Sequence, residues 1–318
     1  MRNFLLALIL FFLAGTVTSC GKQEHPAGGP AGRPNGDSGK LAVATTILPV
    51  ADFVKNVGGE KVAVTVLVPP GASVHTYEPT PGQMSALAKS RVYFMAGSGV
   101  EFELAWMKKI IENNKNLEVV DCSRGIQLID LQASGSEGGA EDHGSKDAKN
   151  LPPDKEGHKE HQGKDPHIWL SPKNARVMVE NICAGLVQAD PENKDYYVRN
   201  KENYLRELEQ LDREIEESLK KVQKRSFLVF HPAWGYFARD YQLKQIAVEV
   251  AGKEPSAKDL AAIIDTAKRE GIQAVFASPQ FNPQSAEVIA REIGGQVVFI
   301  DPLPENYIQN MRLVVGKF

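Results

Sequence analysis

The sequence predicts an α/β protein of two lobes, each a parallel β-sheet flanked by helices, with a long helix joining them. Three observations predict it. Short, continuously apolar, β-rich runs recur at 41–48, 61–68, 91–96 and 117–121, and again at 226–231, 244–249, 272–277 and 296–301. Helical stretches separate them, which is the pattern of parallel sheets buried on both faces. Between the two sets lies a single long amphipathic segment, 191–224. The chain beyond its first 40 residues is about 280 residues long, enough for two modest lobes rather than one core.

The first element is a leader. Arg2 gives a short positive region, and 4–14 is an almost unbroken apolar run. That run is too short to span a bilayer stably and has the form of a secretory signal peptide. It leads into Val17-Thr18-Ser19-Cys20, which resembles a bacterial lipobox with Cys20 as the lipidated residue. Two small residues before a cysteine at the end of the apolar run favour this over an ordinary cleavage site. Several acyl chains on one cysteine would anchor the chain durably, whereas one chain binds only marginally. Residues 21–40 are Gly- and Pro-rich with few large apolar side chains, and read as a flexible tether.

The N-terminal lobe spans 41–190, with helices expected at 51–57, 82–90 and 102–113 between its strands. Inserted in it, 134–164 is rich in Gly, acids, Lys and His without periodicity, and reads as an exposed disordered loop. The linking helix follows at 191–224. Asp190 is placed to cap it and Pro191 suits its first position. Tyr204, Leu208, Leu211, Ile215, Leu219 and Val222 form one apolar stripe opposite a charged face. At about 1.5 Å per residue the segment reaches roughly 48 Å, longer than one small lobe; a long helix of a single domain is the alternative. The C-terminal lobe, 225–318, carries helices at 256–270 and 283–293, with Ser256 as N-cap and Asp259 in the first turn. A net charge of −3 without a basic block in the folded part excludes nucleic acid as a natural partner. Cys122 and Cys183 are the cysteines of the body, and the sequence leaves their pairing open.

The seven histidines carry the chemistry. His25 lies in the tether, and His143, His158 and His161 lie in the acidic loop. His75, His167 and His231 sit in ordered contexts. His75 follows a strand in a loop bounded by Pro69-Pro70-Gly71 and Pro79-Thr80-Pro81. His167 lies in Asp165-Pro166-His167-Ile168-Trp169-Leu170. His231 ends a strand before Pro232-Ala233-Trp234-Gly235, and Asp301 ends the last one in Ile300-Asp301-Pro302-Leu303. Ligands of open parallel sheets bind beyond the carboxyl ends of strands, where three of these four residues fall. Three imidazoles and a carboxylate satisfy a tetrahedral zinc ion, and nitrogen-dominated donors favour zinc over manganese or magnesium. Asp165, two residues before His167, is the candidate the sequence offers for orienting an imidazole.

These motifs, with Gly252-Lys253-Glu254-Pro255-Ser256, resemble those of the metal-receptor family of bacterial ABC transporters, the zinc and manganese solute-binding lipoproteins. They run in the family's order across almost the whole body. The resemblance implies two α/β lobes on a rigid backbone helix with one Zn2+ clamped between them, His75 and His167 from the first lobe, His231 and Asp301 from the second. A histidine at 231 favours a zinc member, because manganese-type members tend to carry a carboxylate there. It also implies a membrane permease as partner, anchorage in the bilayer through Cys20, a monomeric chain on the extracytoplasmic face, and no catalysis. His143, His158 and His161 are candidates for auxiliary metal capture, with a solvated spacer as the alternative. Rival readings are a manganese or iron receptor of the same family, a surface adhesin on the same fold, and a secreted zinc hydrolase. The hydrolase reading lacks a His-Glu-x-x-His helix or a Gly-x-Ser-x-Gly elbow. Asp301 would also close the coordination position that a catalytic zinc leaves open.

Overall fold

The structure, a computed structural model, describes residues 39–131, 163–249 and 255–318. Two four-stranded parallel sheets carry it. The first is built from β1 (Leu41–Thr45), β2 (Val62–Val66), β3 (Val92–Met95) and β4 (Glu118–Asp121), in the order β2-β1-β3-β4. The second is built from β5 (Ser226–Val229), β6 (Lys244–Ala247), β7 (Ala274–Ala277) and β8 (Gln296–Phe299), in the matching order β6-β5-β7-β8. Every pairing is parallel. The inner strands β1, β3, β5 and β7 read LAVAT, VYFM, SFLV and AVFA, largely apolar without alternation because both faces are covered. In each sheet the chain leaves the first strand toward one side and returns on the other. The resulting crevice opens at the carboxyl ends, where ligands of such sheets sit.

Helices α1 (Leu48–Gly58), α2 (Pro81–Leu87), α3 (Glu101–Asn113) and α4 (Pro172–Ala189) accompany the first sheet, and α6 (Gly235–Asp240), α7 (Ala257–Arg269) and α8 (Gln284–Glu292) the second. The expected cap of α7 forms: Ser256 Oγ accepts from Asp259 N at 3.2 Å, and the Asp259 carboxylate accepts from Ser256 N. The long helix α5 runs over Lys194–Lys220 and buries Tyr204, Leu208, Leu211, Ile215 and Leu219. Its start differs from expectation. Pro191–Asn193 form a 3-10 turn, and Asp190 caps no backbone amide; its carboxylate instead accepts from Asn193 Nδ2 and from the Tyr197 hydroxyl, each at 2.7 Å.

Two cores were expected, one per lobe, but one apolar cluster runs through both sheets, with a smaller cluster on the outer face of the second. The reason is how the helices are shared. Helix α5 packs against α1, α4 and the last helix, α9 (Tyr307–Val315). Helix α9 follows the second sheet in sequence but returns to the first half: the Tyr307 ring meets Phe53 edge-on at 4.9 Å. Asp52 of α1 accepts from Tyr204 Oη of α5 at 3.1 Å and from Tyr307 N of α9 at 3.2 Å. One half-buried carboxylate thus ties three helices. Cys122 and Cys183 are buried and unpaired. Among the described residues no helix is long and apolar enough to cross a membrane. The leader with Cys20, the tether with His25, and His143, His158 and His161 lie outside the described residues, as do residues 250–254.

Candidate metal centre

Each central histidine is delivered by a short constrained segment. His75 sits in the loop between β2 and α2. That loop is held by Gln83, which closes a capping box with Thr80 and donates from Nε2 to Leu67 O at 2.6 Å. His167 precedes a 3-10 turn, Ile168–Leu170, and its backbone N–H donates to Asp165 Oδ1 at 2.9 Å. Trp169 next to it donates from Nε1 to Pro302 O at 2.7 Å, linking the His167 segment to the end of the second sheet. His231 lies two residues beyond β5, and Glu249 two residues beyond its neighbour β6. The strand register continues through Glu249 N, which donates to Phe230 O at 3.0 Å.

The three rings converge. His231 Nε2 lies 3.2 Å from His75 Nε2 and 3.2 Å from His167 Nε2. One ligand atom from each histidine falls within 4.8 Å of the others. A tetrahedral zinc ion with bonds of about 2.0–2.1 Å sets neighbouring nitrogens roughly 3.3 Å apart. Two edges of the triangle therefore already have the required length.

The opposite nitrogens leave the Nε2 atoms able to serve as donors to a cation. His167 Nδ1 is 2.8 Å from Asp165 Oδ1, His231 Nδ1 is 2.6 Å from Glu249 Oε2, and His75 Nδ1 is 2.9 Å from Glu101 Oε2. An ionised carboxylate only accepts, so each Nδ1 carries the proton and each neutral ring presents an Nε2 lone pair. Three lone pairs converging in a buried pocket repel one another unless a cation or proton lies between them. His167 and His231 are 3% and 8% exposed, and the His75 side chain is 22% exposed. Burial holds His231 below the ordinary imidazole range and keeps it neutral, although the Glu249 hydrogen bond pulls the other way. Burial likewise pushes the Glu101 carboxyl upward, but its hydrogen bonds, led by that from His75 Nδ1, leave the group below its usual value.

The inner cavity between the rings has a volume of about 20 Å³ and is also lined by Trp169, Gln280 and Phe281. That admits one water-sized body, an ion rather than an organic molecule. A wider basin of about 660 Å³, reached past Thr76, Glu101 and Asn282, shares the histidines and gives access.

Asp301, expected as the fourth member, is not in the histidine group. Its Oδ1 already accepts from Gln280 Nε2 at 2.7 Å and from Leu303 N at 2.9 Å, while Asn310 Nδ2 holds its backbone carbonyl. Two residues that orient imidazoles, Glu101 and Glu249, escaped the sequence reading. Glu249 had a signal: strands expected at 226–231 and 244–249, paired in register, put His231 and Glu249 side by side. Glu101, the first residue of α3, had none.

The model of the family described as zinc-uptake complex component A, periplasmic, matches residues 43–318. The chain is 31% identical over 291 residues to the high-affinity zinc uptake system protein ZnuA of Bacillus subtilis, covering 90% of this chain and 84% of that one. It is 29% identical over 286 residues to the zinc-binding lipoprotein AdcA of Streptococcus pneumoniae, where it spans about half of the relative, 54% of its length, and 86% of this chain is covered. The crystal structure of ZnuA superposes with a TM-score of 0.76 at 37% identity, covering 87% of this chain and 97% of that one. A deletion mutant of ZnuA with zinc bound matches at the same TM-score and identity, with 96% of it covered. From its matched length and these likenesses, the chain belongs to the family of zinc-uptake complex component A.

Proposed function

We propose that this protein is an extracytoplasmic receptor that captures Zn2+ through Nε2 of His75, His167 and His231 and delivers it to the membrane permease of an ABC importer. The observation that carries the reading is the convergence of three imidazole nitrogens, each fixed as a lone-pair donor by a carboxylate on its other side. Neutral nitrogen donors suit zinc, and a cavity sized for one ion suits transport of the bare metal. Likeness to ZnuA and AdcA, both named for zinc, supports the same cargo. Membership of an uptake family supports a carrier rather than an enzyme.

Capture is straightforward in this geometry. The ion enters from the outer basin and replaces the mutual repulsion of three lone pairs with three coordination bonds. His75 and His167 belong to the first lobe and His231 to the second, so the bound ion ties the lobes together at the mouth of the crevice. Release requires the permease to part those elements. Anchorage to the membrane through lipidated Cys20, a monomeric state, and lobe limits of 41–190 and 225–318 with the helix 191–224 between them complete the proposal. Metal analysis of protein purified without added metal should find one zinc per chain, and His231→Ala should bind zinc far more weakly by calorimetric titration. Unchanged affinity in that variant would refute the assignment.

A further inference from the structure

Three imidazoles occupy three of the four positions that a tetrahedral zinc ion offers. We propose that the side-chain carbonyl of Gln280 is the fourth donor, and that Asp301 is the positioning residue that aims it; the inference rests on the zinc site proposed above.

Gln280 stands three residues past β7 and lines the inner cavity together with His75, His167 and His231. Its amide has one defined orientation. Nε2 donates to Asp301 Oδ1 at 2.7 Å, and reversing the amide would set its oxygen against a carboxylate oxygen, two acceptors in contact. Oε1 is therefore turned away from Asp301. It is also buried and without a hydrogen-bond partner, one of two such side-chain atoms among the described residues. A buried carbonyl oxygen with no donor is unfavourable and marks a place where a partner belongs. The partner that suits an acceptor on a residue lining the same cavity as three convergent Nε2 atoms is a cation.

Asp301 is built for holding rather than binding. Oδ1 accepts the Leu303 amide as well as the Gln280 amide, and Asn310 fixes the backbone carbonyl of the same residue. A carboxylate that accepts from the N–H2 of an amide also polarises it and enriches the electron density on its oxygen. The arrangement parallels that of the histidines, in which Asp165, Glu249 and Glu101 each fix a ligand from behind. The fourth donor is then neutral, like the other three, and each of the four is backed by a carboxylate.

The test compares Gln280→Ala, Asp301→Ala and Asp301→Asn with His231→Ala in competitive Zn2+ titrations, alongside a crystal structure of the zinc-loaded wild-type protein. Gln280→Ala and Asp301→Ala should each lose about 10–100-fold in affinity, and the double variant should lose little more than either. Asp301→Asn keeps an oxygen that accepts from Gln280 Nε2 and should remain within about threefold of wild type, which a direct carboxylate ligand would not permit. In the loaded crystal, Gln280 Oε1 should lie about 2.0–2.2 Å from the ion. A zinc-bound Asp301 oxygen or water in that position would overturn the proposal, as would a collapse of affinity in Asp301→Asn or wild-type affinity in Gln280→Ala. If His231→Ala bound zinc like wild type, the failure would belong to the three-histidine site itself. The crystal result stands even if a variant fails to fold.

Discussion

His231 and Glu249 face each other two residues past the ends of paired parallel strands, with Nδ1 2.6 Å from Oε2 and both groups about nine-tenths buried. The register of β5 and β6 alone sets this contact, so the orientation of the imidazole is written into the sheet. Removing the carboxylate frees the ring to rotate and lets the proton move to Nε2, where it competes with the metal. Glu249→Ala should therefore lower zinc affinity by about 10–100-fold. Glu101→Ala should cost less, because the Glu101 side chain is 49% exposed and water can replace it. Competitive zinc titration of the two variants checks the order; a larger loss at Glu101 would contradict it.

Acidity acts on the same group. Zinc binds imidazole without its proton, so affinity should fall as the pH drops far enough to protonate the folded rings. Burial sets the folded value of His231 lower than the ordinary imidazole value of 6.5. Folding then releases a proton, and stability that is complete above 6.5 is lost as pH falls from there toward the folded value. The metal-free protein should melt at lower temperature at pH 5 than at pH 7, and His231→Gln should flatten that dependence. Equal slopes in thermal melts of the two proteins would show that His231 contributes nothing to it.

The Asp52 knot makes a separate prediction about stability. Its carboxylate holds Tyr204 of α5 and the first amide of α9, and burial raises its pKa. Asp52→Ala removes both hydrogen bonds and leaves buried donors unpaired, at a cost of about 1–3 kcal/mol for each group so exposed. Denaturant unfolding should show a lower midpoint. Zinc affinity should change far less than the midpoint does, because Asp52 touches none of the three histidines.

Gly235 reaches the metal centre through packing. A Cβ on this residue would collide with Asp165 Oδ2, the carboxylate that fixes His167. Gly235→Ala should destabilise the protein by roughly 1–3 kcal/mol through overpacking and weaken zinc binding as His167 is displaced. Wild-type affinity in a folded Gly235→Ala protein, measured by the same titration, would show that Asp165 can give way without moving the ring.

Much of this was legible in the sequence because the strands are short, apolar and regularly spaced. All eight appear within three residues of their expected limits, and the stripe from Tyr204 to Leu219 gave the long helix. The histidines stood out through their positions at strand ends and in proline-bounded loops. What escaped depends on tertiary contacts. The periodicity of Tyr307, Met311 and Val314 covers too few turns to announce α9, and nothing local says that it folds back onto Phe53 of α1. The continuous core follows from that return. Asp301 ends up beside the crevice, as its strand implied, yet its bonds to Gln280 and Leu303 depend on how two loops meet.

Zinc K-edge X-ray absorption of the metal-loaded protein reads the coordination shell itself. Three imidazole nitrogens at about 2.0–2.1 Å, completed by one oxygen, are expected. A spectrum fitted by fewer than three imidazoles, or by sulfur, would contradict the three-histidine site.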